Sequence, residues 1–454
     1  MIFKRIESQG LAHYSYFIGH GGQAAVIDPR RDCEVYVEQA RRSGLRIRHI
    51  LETHRNEDYV IGSLELAEQT GAEIRHADSH LDYSYGQAAE DGQTWKIGGV
   101  KLKALHSPGH TPGHMSYLLH DSSGNPWILF SGDALFAGDT GRTDLLGMDQ
   151  AEKQAGQLYD TLTNVFFPLG DGVILCPAHG PGSVCGSAIT DRTWTTLGLE
   201  KKYNPKIQIK NRSDFIKAAA QELPRPPYFR KMEELNVSGP PVLGNLPFPP
   251  PLAPGEFSEK YESAQVLDTR MELGFTAAHV PGALSLWAGG ISGYAGWFLN
   301  YDKPLLLINE NDDPETVIRL LMRMGYENVT GTLAGGMLAW HTAGKKSESV
   351  PTLTVQSLCT KLDKKEEVFI LDVRGEDELE SAGIIPGSLN IPLGRIPDRI
   401  NEIPSDKKVH IFCGSGLRST AAASFLMMQG RKNPAVVLGG FAGWSSTTCP
   451  ITRE

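Results

Sequence analysis

Four short segments concentrate the histidines and carboxylates that could hold a metal ion. They are ETHRNEDYVIGS (52–63), HSPGHTPGH (106–114), FSGDALFAGDTGRTD (130–144) and PAHG (177–180). Imidazole and carboxylate together suit first-row transition metals. A set of two imidazoles and one carboxylate leaves coordination positions open for substrates. The first chemistry that the residue types suggest is therefore that of a metal centre.

A second reactive group is Cys413, in the segment IFCGSGLRS (411–419). An apolar run precedes it, and a Gly-rich turn then opens a helix. The N–H groups of such a turn point inward and, together with Arg418, favour thiolate over thiol. The turn that would cradle a sulfur anion comprises Gly414, Ser415, Gly416 and Leu417. A buried structural cysteine is the alternative, which the Gly-rich turn and Arg418 disfavour.

Short strands that end at these motifs are the elements expected to position the reactive groups. The predicted strands are AAVIDP (24–29), IRHILET (47–53), VKLKAL (100–105), WILFSGD (127–133) and GVILCPAH (172–179). Strands that alternate with helical stretches predict an α/β fold, and chemistry on loops at strand ends is usual there. A Pro-rich stretch at 236–255 predicts a semi-rigid linker after a first domain at 1–235.

The rest of the chain contains an internal repeat. Asp268 corresponds to Asp372 and Trp340 to Trp444, both at an offset of 104 residues. A near-constant offset is the signature of a repeated unit. Each copy alternates apolar runs with helical stretches, which predicts a small α/β domain with a mostly parallel sheet. The two copies are expected to span 256–347 and 348–454, respectively.

The two copies differ at the reactive position. Asn309 stands in the first copy where Cys413 stands in the second. The surrounding loop NENDDPE (309–315) is acidic, so it would repel an anionic substrate. The first copy is therefore predicted to be catalytically inactive.

Composition limits the partners and the compartment. The 454-residue chain carries a net charge of −9, and no run of Lys and Arg occurs. Nucleic acid is therefore not an expected partner. No apolar run is long enough to span a bilayer, and the first residues lack the apolar core of a signal peptide. The six cysteines are scattered without a C-x-x-C pair, which disfavours a disulfide framework and suggests a reducing cytoplasm.

Taken together, the motif segments resemble those of the persulfide dioxygenase branch of the metallo-β-lactamase superfamily. The segments after the Pro-rich stretch resemble two tandem rhodanese domains. In the second copy, the spacing from Cys413 to Arg418 is C-x4-R, which is the tighter loop of the sulfurtransferases. Protein tyrosine phosphatases use a C-x5-R loop instead. The resemblance implies an α/β multidomain chain: an αββα sandwich followed by two rhodanese-like domains. Carried over by position, it implies one Fe(II) per chain, held by His54, His110 and Asp133.

Departures from the superfamily motif bear on the choice of metal. Asn56 and Tyr59 stand where two histidine ligands of a two-zinc hydrolase belong, so zinc is the disfavoured alternative. Asp58 and His179 could hold a weak second ion or orient the ligands from outside the metal shell, and Tyr59 is expected nearby. Arg142 of the GRTD segment matches a family arginine near the thiol site.

The predicted reaction is the oxidation of a low-molecular-weight thiol persulfide by O2 to sulfite. Sulfur transfer through Cys413, assisted by Arg418, would interconvert thiosulfate, sulfite and persulfide. Two alternatives stay open: a zinc-dependent thioester hydrolase, and a sulfur-relay or scaffold protein with a metal-free first domain. The resemblance further implies a homo-oligomer.

Overall fold

Two six-stranded sheets build the first part of the chain in the computed structural model, which describes residues 1–309 and 313–452. The first sheet contains β1 (Ile2–Ser8), β2 (His13–His20), β3 (Gln23–Ile27), β4 (Arg46–Leu51), β5 (Glu73–His76) and β6 (Gln87–Ala88) in that order. The second contains β7 (Thr94–Ile97), β8 (Val100–His106), β9 (Met115–His120), β10 (Pro126–Gly132), β11 (Ile174–Pro177) and β12 (Thr195–Thr196). All five predicted strands are confirmed.

Helices cover the outer faces of both sheets. They are α1 (Glu34–Arg42), α2 (Ser63–Thr70), α3 (Met148–Asp160), α4 (Leu197–Tyr203), α5 (Arg212–Ala219) and α6 (Phe229–Ser238). Residues of both sheets share one buried apolar core, which includes Tyr16, Leu102 and Phe130. Successive residues of a strand point to opposite faces, so Phe17 packs instead into the core that contains Tyr36 of α1. The predicted αββα sandwich is confirmed.

The second part of the chain contains two parallel five-stranded sheets. The first has β13 (Pro251–Leu252), β14 (Gln265–Asp268), β15 (Leu284–Ser285), β16 (Leu305–Ile308) and β17 (Val329–Leu333). Its helices are α7 (Pro254–Lys260), α8 (Glu272–Ala277), α9 (Ile291–Phe298), α10 (Glu315–Arg323) and α11 (Gly336–Thr342). The second parallel sheet has β18 (Thr352–Thr354), β19 (Phe369–Asp372), β20 (Leu389–Asn390), β21 (Val409–Phe412) and β22 (Pro434–Leu438). Its helices are α12 (Val355–Asp363), α13 (Glu376–Ala382), α14 (Ile396–Arg399), α15 (Leu417–Met428) and α16 (Gly440–Trp444).

The two sheets have the same topology. Their strand orders are β13-β17-β16-β14-β15 and β18-β22-β21-β19-β20, and every pairing within them is parallel. The internal repeat predicted from the near-constant offset is thus confirmed as a repeat of fold.

The chain divides into two compact units. One comprises 1–246 with 322–325, and the other comprises 247–321 with 326–454. Helix α6 ends at Ser238, and β13 begins at Pro251 within the Pro-rich stretch. The domain bounds at 235 and 255 stay predictions. Among the described residues, no helix is both long and apolar enough to cross a bilayer.

A disulfide joins Cys359 of α12 to Cys449 in the segment after α16, with 5.8 Å between the two Cα atoms. The scattered cysteines did not predict it, because 90 residues separate the pair in sequence. Packing brings them together: both lie in the buried cluster that contains Trp444. Sequence spacing carries no sign of such a contact. The scattered spacing disfavoured a disulfide framework, and this one pair is an exception to that expectation.

Candidate functional site

Strand ends position the predicted metal ligands. His54 follows β4 and Asp133 follows β10, while His110 lies in the loop between β8 and β9. All three side chains are buried. Gly132, which ends β10, has a φ of +51°, and a Cβ there would lie 2.4 Å from His114 Nε2. Only glycine lets the backbone pass this imidazole, and His114 Nε2 then accepts a hydrogen bond from the Asp133 N–H at 3.1 Å.

His54, His110 and Asp133 converge on one point. Asp133 Oδ2 lies 3.7 Å from His54 Nε2 and 3.6 Å from His110 Nε2. Both Nε2 atoms are buried without a hydrogen-bond partner. Buried polar atoms are nearly always satisfied, so two orphaned imidazole nitrogens beside a carboxylate fit a metal ion. The donor set is the two-histidine, one-carboxylate combination typical of non-haem iron.

Hydrogen bonds to the far side of each imidazole hold Nε2 toward this point. His54 Nδ1 donates to Thr53 Oγ1 at 2.9 Å, and Thr53 Oγ1 donates to Asp28 Oδ2 at 2.8 Å. His110 Nδ1 donates to the carbonyl oxygen of Arg142 at 2.9 Å. Burial lowers the pKa of His54, which favours the neutral form that a metal requires. Such partners fix the tautomer and the orientation of ligating histidines.

Glu57 is a further buried carboxylate that the sequence analysis did not select. Its Oε1 lies 3.3 Å from His110 Nε2, and its Oε2 has no hydrogen-bond partner. Burial favours the neutral form of Glu57, but His110 outweighs it and lowers the pKa of Glu57 to about 2. Burial likewise opposes the charge on His110, yet Glu57 and then Asp133 raise the pKa of His110 to about 9. The only sequence signal for Glu57 was its position inside the first motif segment.

His179 lies between two carboxylates. Its Nδ1 donates to Asp133 Oδ1 at 2.7 Å, and its Nε2 lies 3.0 Å from Asp58 Oδ2. Burial opposes a charge on His179, but Asp133 and then Asp58 raise its pKa. The ligand atoms of Asp58, His179 and Cys185 lie within 4.8 Å of one another. The structure thus brings the predicted Asp58 and His179 together, with a cysteine that no motif marked.

The remaining predicted positions surround this pocket. Tyr59 is buried, and its ring lies against His13 with 4.0 Å between centroids and 34° between the ring planes. Asn56 Nδ2 donates to the His54 carbonyl at 3.2 Å. The Arg142 guanidinium is paired with Asp144 at 2.7 Å and donates to backbone carbonyls of two neighbouring loops. The Arg142 guanidinium is therefore bound by a carboxylate and by backbone carbonyls of the protein. The carbonyl oxygen of Arg142 orients the His110 imidazole.

The Cys413 loop follows β21 and is held in place by α16. The Gly416 N–H donates to Cys413 Sγ at 3.1 Å, and the thiol is buried. Phe441 N–H donates to the Cys413 carbonyl at 2.7 Å, and Gly439 N–H donates to the Ser415 carbonyl at 2.9 Å. An inward N–H at the sulfur is the feature that the Gly-rich turn predicts.

Arg418 lies in an ion pair that the sequence analysis missed. Its guanidinium binds both carboxylate oxygens of Glu378, with 2.7 Å between Nη2 and Oε1. Glu378 belongs to α13 and also accepts from the Gly375 N–H at 3.0 Å. A Cβ at Gly414 would lie 3.0 Å from Arg418 Nη2, so the guanidinium lies directly against the loop. No local spacing links Glu378 to Arg418, since 40 residues separate them.

The equivalent position in the first repeat holds an amide. Asn309 follows β16 as Cys413 follows β21. Its Oδ1 accepts from Thr269 Oγ1 at 2.7 Å, and its Nδ2 donates to the Asp313 carbonyl at 2.8 Å. Residues 310–312 of the predicted acidic loop lie outside the described residues. The Asn309 amide therefore hydrogen-bonds to a nearby hydroxyl and a nearby backbone carbonyl, and it supplies no nucleophile.

Family models match both parts of the chain. The model of the metallo-beta-lactamase superfamily matches residues 9–164, and the rhodanese-like domain matches residues 253–343 and 354–447. A crystal structure of a metallo-beta-lactamase from Staphylococcus aureus subsp. aureus COL is 30% identical, with a TM-score of 0.66. The match covers 74% of this chain and 99% of that chain. The chain therefore belongs to the metallo-β-lactamase superfamily and carries two rhodanese-like domains.

Two curated relatives of the first domain carry different activities in their names. The hydroxyacylglutathione hydrolase GloC of Haemophilus influenzae is 28% identical, over 41% of this chain and 89% of its own length. The mitochondrial persulfide dioxygenase ETHE1 of Bos taurus is also 28% identical, over 47% of this chain and 78% of its own length. Overall similarity does not separate a hydrolase from a dioxygenase, so the choice rests on the site.

Proposed function

We propose that the chain is a non-haem iron persulfide dioxygenase fused to an active rhodanese domain. The observation that carries the proposal is the pocket of His54, His110 and Asp133, where both imidazoles present unpartnered Nε2 atoms. The superfamily's other two motif histidines are replaced by Asn56 and Tyr59. The site thus retains a mononuclear iron ligand set and lacks the imidazoles of a two-zinc hydrolase.

Iron would be held by His54, His110 and Asp133. A bound ferrous ion supplies open positions at which O2 and a persulfide sulfur can meet. Thr53 and the Arg142 carbonyl keep the two imidazoles oriented, and His179 donates to Asp133 Oδ1 and fixes that carboxylate. The net reaction converts one thiol persulfide, one O2 and one water into thiol, sulfite and two protons.

Cys413 would carry sulfur as a cysteine persulfide. Its thiolate attacks the outer sulfur of thiosulfate, the S–S bond breaks with its electron pair going to sulfite, and sulfite leaves. The reverse reaction converts a persulfide and sulfite to thiosulfate and returns the thiolate. The Gly416 N–H, at 3.1 Å from Sγ, stabilises the sulfur anion in both directions. Glu378 holds Arg418 beside the loop.

Oxygen uptake with a panel of thiol persulfides tests the proposal. The anaerobically iron-loaded protein is expected to hold about one Fe per chain at this site. It should then consume O2 and form sulfite with a persulfide such as that of glutathione or coenzyme A. Hydrolysis of S-lactoylglutathione by the zinc-loaded protein, with no persulfide-dependent oxygen uptake by the iron-loaded protein, would establish the hydrolase alternative instead.

A further inference from the structure

We propose that the inactive first repeat supplies a substrate-binding group to the Cys413 site. The group is the hydroxyl of Tyr294, which donates a hydrogen bond to an oxygen of thiosulfate or sulfite. Tyr294 belongs to α9 of the first repeat, whereas Cys413 follows β21 of the second, and both repeats belong to one compact unit. The inference rests on the proposed sulfur transfer through Cys413 and names the residue that recognises the oxyanion part of the substrate.

The first repeat packs against α15, the helix that begins at the Cys413 loop. The N–H of Ser285, in β15, donates to Ser424 Oγ of α15 at 2.9 Å. Phe298 of α9 lies against Phe425 of α15, with 5.1 Å between the ring centroids. One strand and one helix of the first repeat therefore both contact the helix that supports the reactive loop.

The contact between the repeats extends to the reactive loop. Glu272, the first residue of α8, has its Cγ 3.5 Å from the position of a Cβ on Gly416. Gly416 is the residue whose N–H donates to Cys413 Sγ. Trp297 of α9 lies 2.9 Å from the position of a Cβ on Gly394, in the turn before α14. Side chains of the first repeat thus lie directly against the loop that holds the sulfur.

Tyr294 lies beside the charged groups of the Cys413 site. Arg418 hydrogen-bonds to the Tyr294 side chain, and Glu378 and Cys413 lie close enough to change the pKa of its hydroxyl. Trp287 packs beside the Tyr294 ring, with 5.8 Å between centroids. Burial raises the pKa of Tyr294, and this effect outweighs the lowering by Arg418. The hydroxyl therefore keeps its proton at neutral pH and can act as a donor.

The direction of the bond with Arg418 leaves the tyrosine proton available. A guanidinium has only donors, so the tyrosine oxygen accepts this bond and its own O–H is left to donate. Among the described residues, no protein group accepts a hydrogen bond from the Tyr294 hydroxyl. A hydroxyl donor at the reactive sulfur, without a protein acceptor, fits an oxygen of the bound substrate.

The charges around the loop explain why a neutral donor would be needed. Both carboxylate oxygens of Glu378 accept from Arg418, so a protein carboxylate already offsets the charge of this guanidinium. Thiosulfate and sulfite are dianions whose oxygens accept hydrogen bonds, and such bonds to charged acceptors are the stronger ones. The reacting end of a thiol persulfide has no oxygen. Tyr294 should therefore matter for the sulfur oxyanions and not for the persulfide.

The sulfur-transfer step needs no proton from Tyr294. The Cys413 thiolate attacks the outer sulfur of thiosulfate, and the S–S bond breaks with its electron pair going to sulfite. Cys413 becomes a persulfide, while the tyrosine O–H donates to an oxygen of the sulfonate that leaves as sulfite. Cyanide then removes the outer sulfur as thiocyanate and returns the Cys413 thiolate.

Two sulfur donors, compared in the full-length Tyr294→Phe variant, test the inference. With thiosulfate and cyanide, kcat/KM should fall about 10–100-fold through loss of one hydrogen bond to a charged group, mainly by a rise in KM. Loading of Cys413 by glutathione persulfide in a single turnover, measured as the mass of one added sulfur, should be unchanged. The matched control is Tyr301→Phe in the same repeat, because Tyr301 stacks on Tyr326 with 4.2 Å between centroids. Both measurements should stay at the wild-type values in this control.

The comparison of donors separates substrate binding from a structural role. An unchanged kcat/KM for thiosulfate in Tyr294→Phe would overturn the inference. Equal slowing with both donors would also overturn it, because Tyr294 would then act only by holding Arg418 or the fold. Cys413→Ser is the blank for both assays. Thiosulfate transfer that persists in Cys413→Ser would refute the proposed function of the second repeat itself, so the two failures are distinguishable.

Discussion

Single side chains decide which chemistry the first domain can support. Replacement of two imidazoles by Asn56 and Tyr59 leaves the carboxylates of the pocket in place, and buried carboxylates need counter-charge. The motif segments predicted His54, His110 and Asp133 as neighbours, and the structure brings them together. Glu57 was beyond prediction, because whether a motif residue points inward depends on the turn of the loop rather than on residue spacing.

Removal of His110 tests the metal ligand set. His110→Ala deletes one of two unpartnered imidazole nitrogens, so we expect loss of bound iron and of persulfide-dependent oxygen uptake. The matched control is His106→Ala, since His106 is exposed and its Nε2 lies 3.1 Å from the Pro112 carbonyl oxygen. Iron content by elemental analysis should fall in the first variant and stay unchanged in the second. Equal iron content in both variants would rule out His110 as a ligand.

Removal of the Thr53 hydroxyl tests the support behind His54. Thr53→Val keeps the shape but deletes the oxygen that accepts from His54 Nδ1 and donates to Asp28. Loss of such a partner lowers metal affinity about 10–100-fold, whereas Thr53→Ser should retain near wild-type affinity. Competition with an iron chelator measures the difference. Indistinguishable affinities in the Val and Ser variants would show that the hydroxyl does not position the ligand.

At the scale of elements, both sites depend on loops that follow strands. The apolar runs predicted the longer strands well, since buried strands show in sequence as apolar segments. Two-residue strands such as β15 and β20 carry too short a pattern to be recognised. The Cys413 loop was predicted from its glycines, but its support by α16 was not, because backbone hydrogen bonds between distant segments leave no residue signature.

The contact between α16 and the Cys413 loop can be tested with one methyl group. Gly440 has a φ of +46°, and a Cβ there would lie 2.3 Å from the Cys413 carbonyl oxygen and 2.6 Å from Ser415 N. Gly440→Ala should therefore displace the loop and lower kcat/KM for thiosulfate roughly 10²-fold, as misplacement of a reactive group by about 1 Å can do.

The control for this change is Gly430→Ala. Gly430 also has a positive φ, +77°, but apart from its chain neighbours no atom of the described residues lies within 4 Å of its Cβ position. Both variants bear the left-handed strain of about 1 kcal/mol, so thermal unfolding should shift in both. Thiocyanate formation from thiosulfate and cyanide should fall only in Gly440→Ala. A similar loss of activity in both would attribute the effect to strain rather than to the loop contact.

At the scale of the whole chain, two kinds of candidate site occur in two compact units. The tandem repeat was predictable because duplication leaves a near-constant offset in sequence. The Cys359–Cys449 disulfide was not, since it arises only when the helix α12 and the segment after α16 pack together. Asn309 shows the divergence of the copies: its amide binds Thr269 and Asp313, so this copy keeps the fold without the nucleophile.

The two activities are expected to separate by mutation. Cys413→Ser removes the sulfur nucleophile and leaves every residue of the metal pocket unchanged, so thiosulfate sulfurtransfer should be lost while oxygen uptake with free thiol persulfide persists. Asp133→Asn should do the reverse, because it removes the carboxylate shared by His54, His110 and His179. Oxygen-electrode and thiocyanate assays on both variants give the four readings needed. If Cys413→Ser also abolished oxygen uptake with free persulfide, the dioxygenase would depend on sulfur delivered by Cys413, and the two sites would form one obligate catalytic sequence.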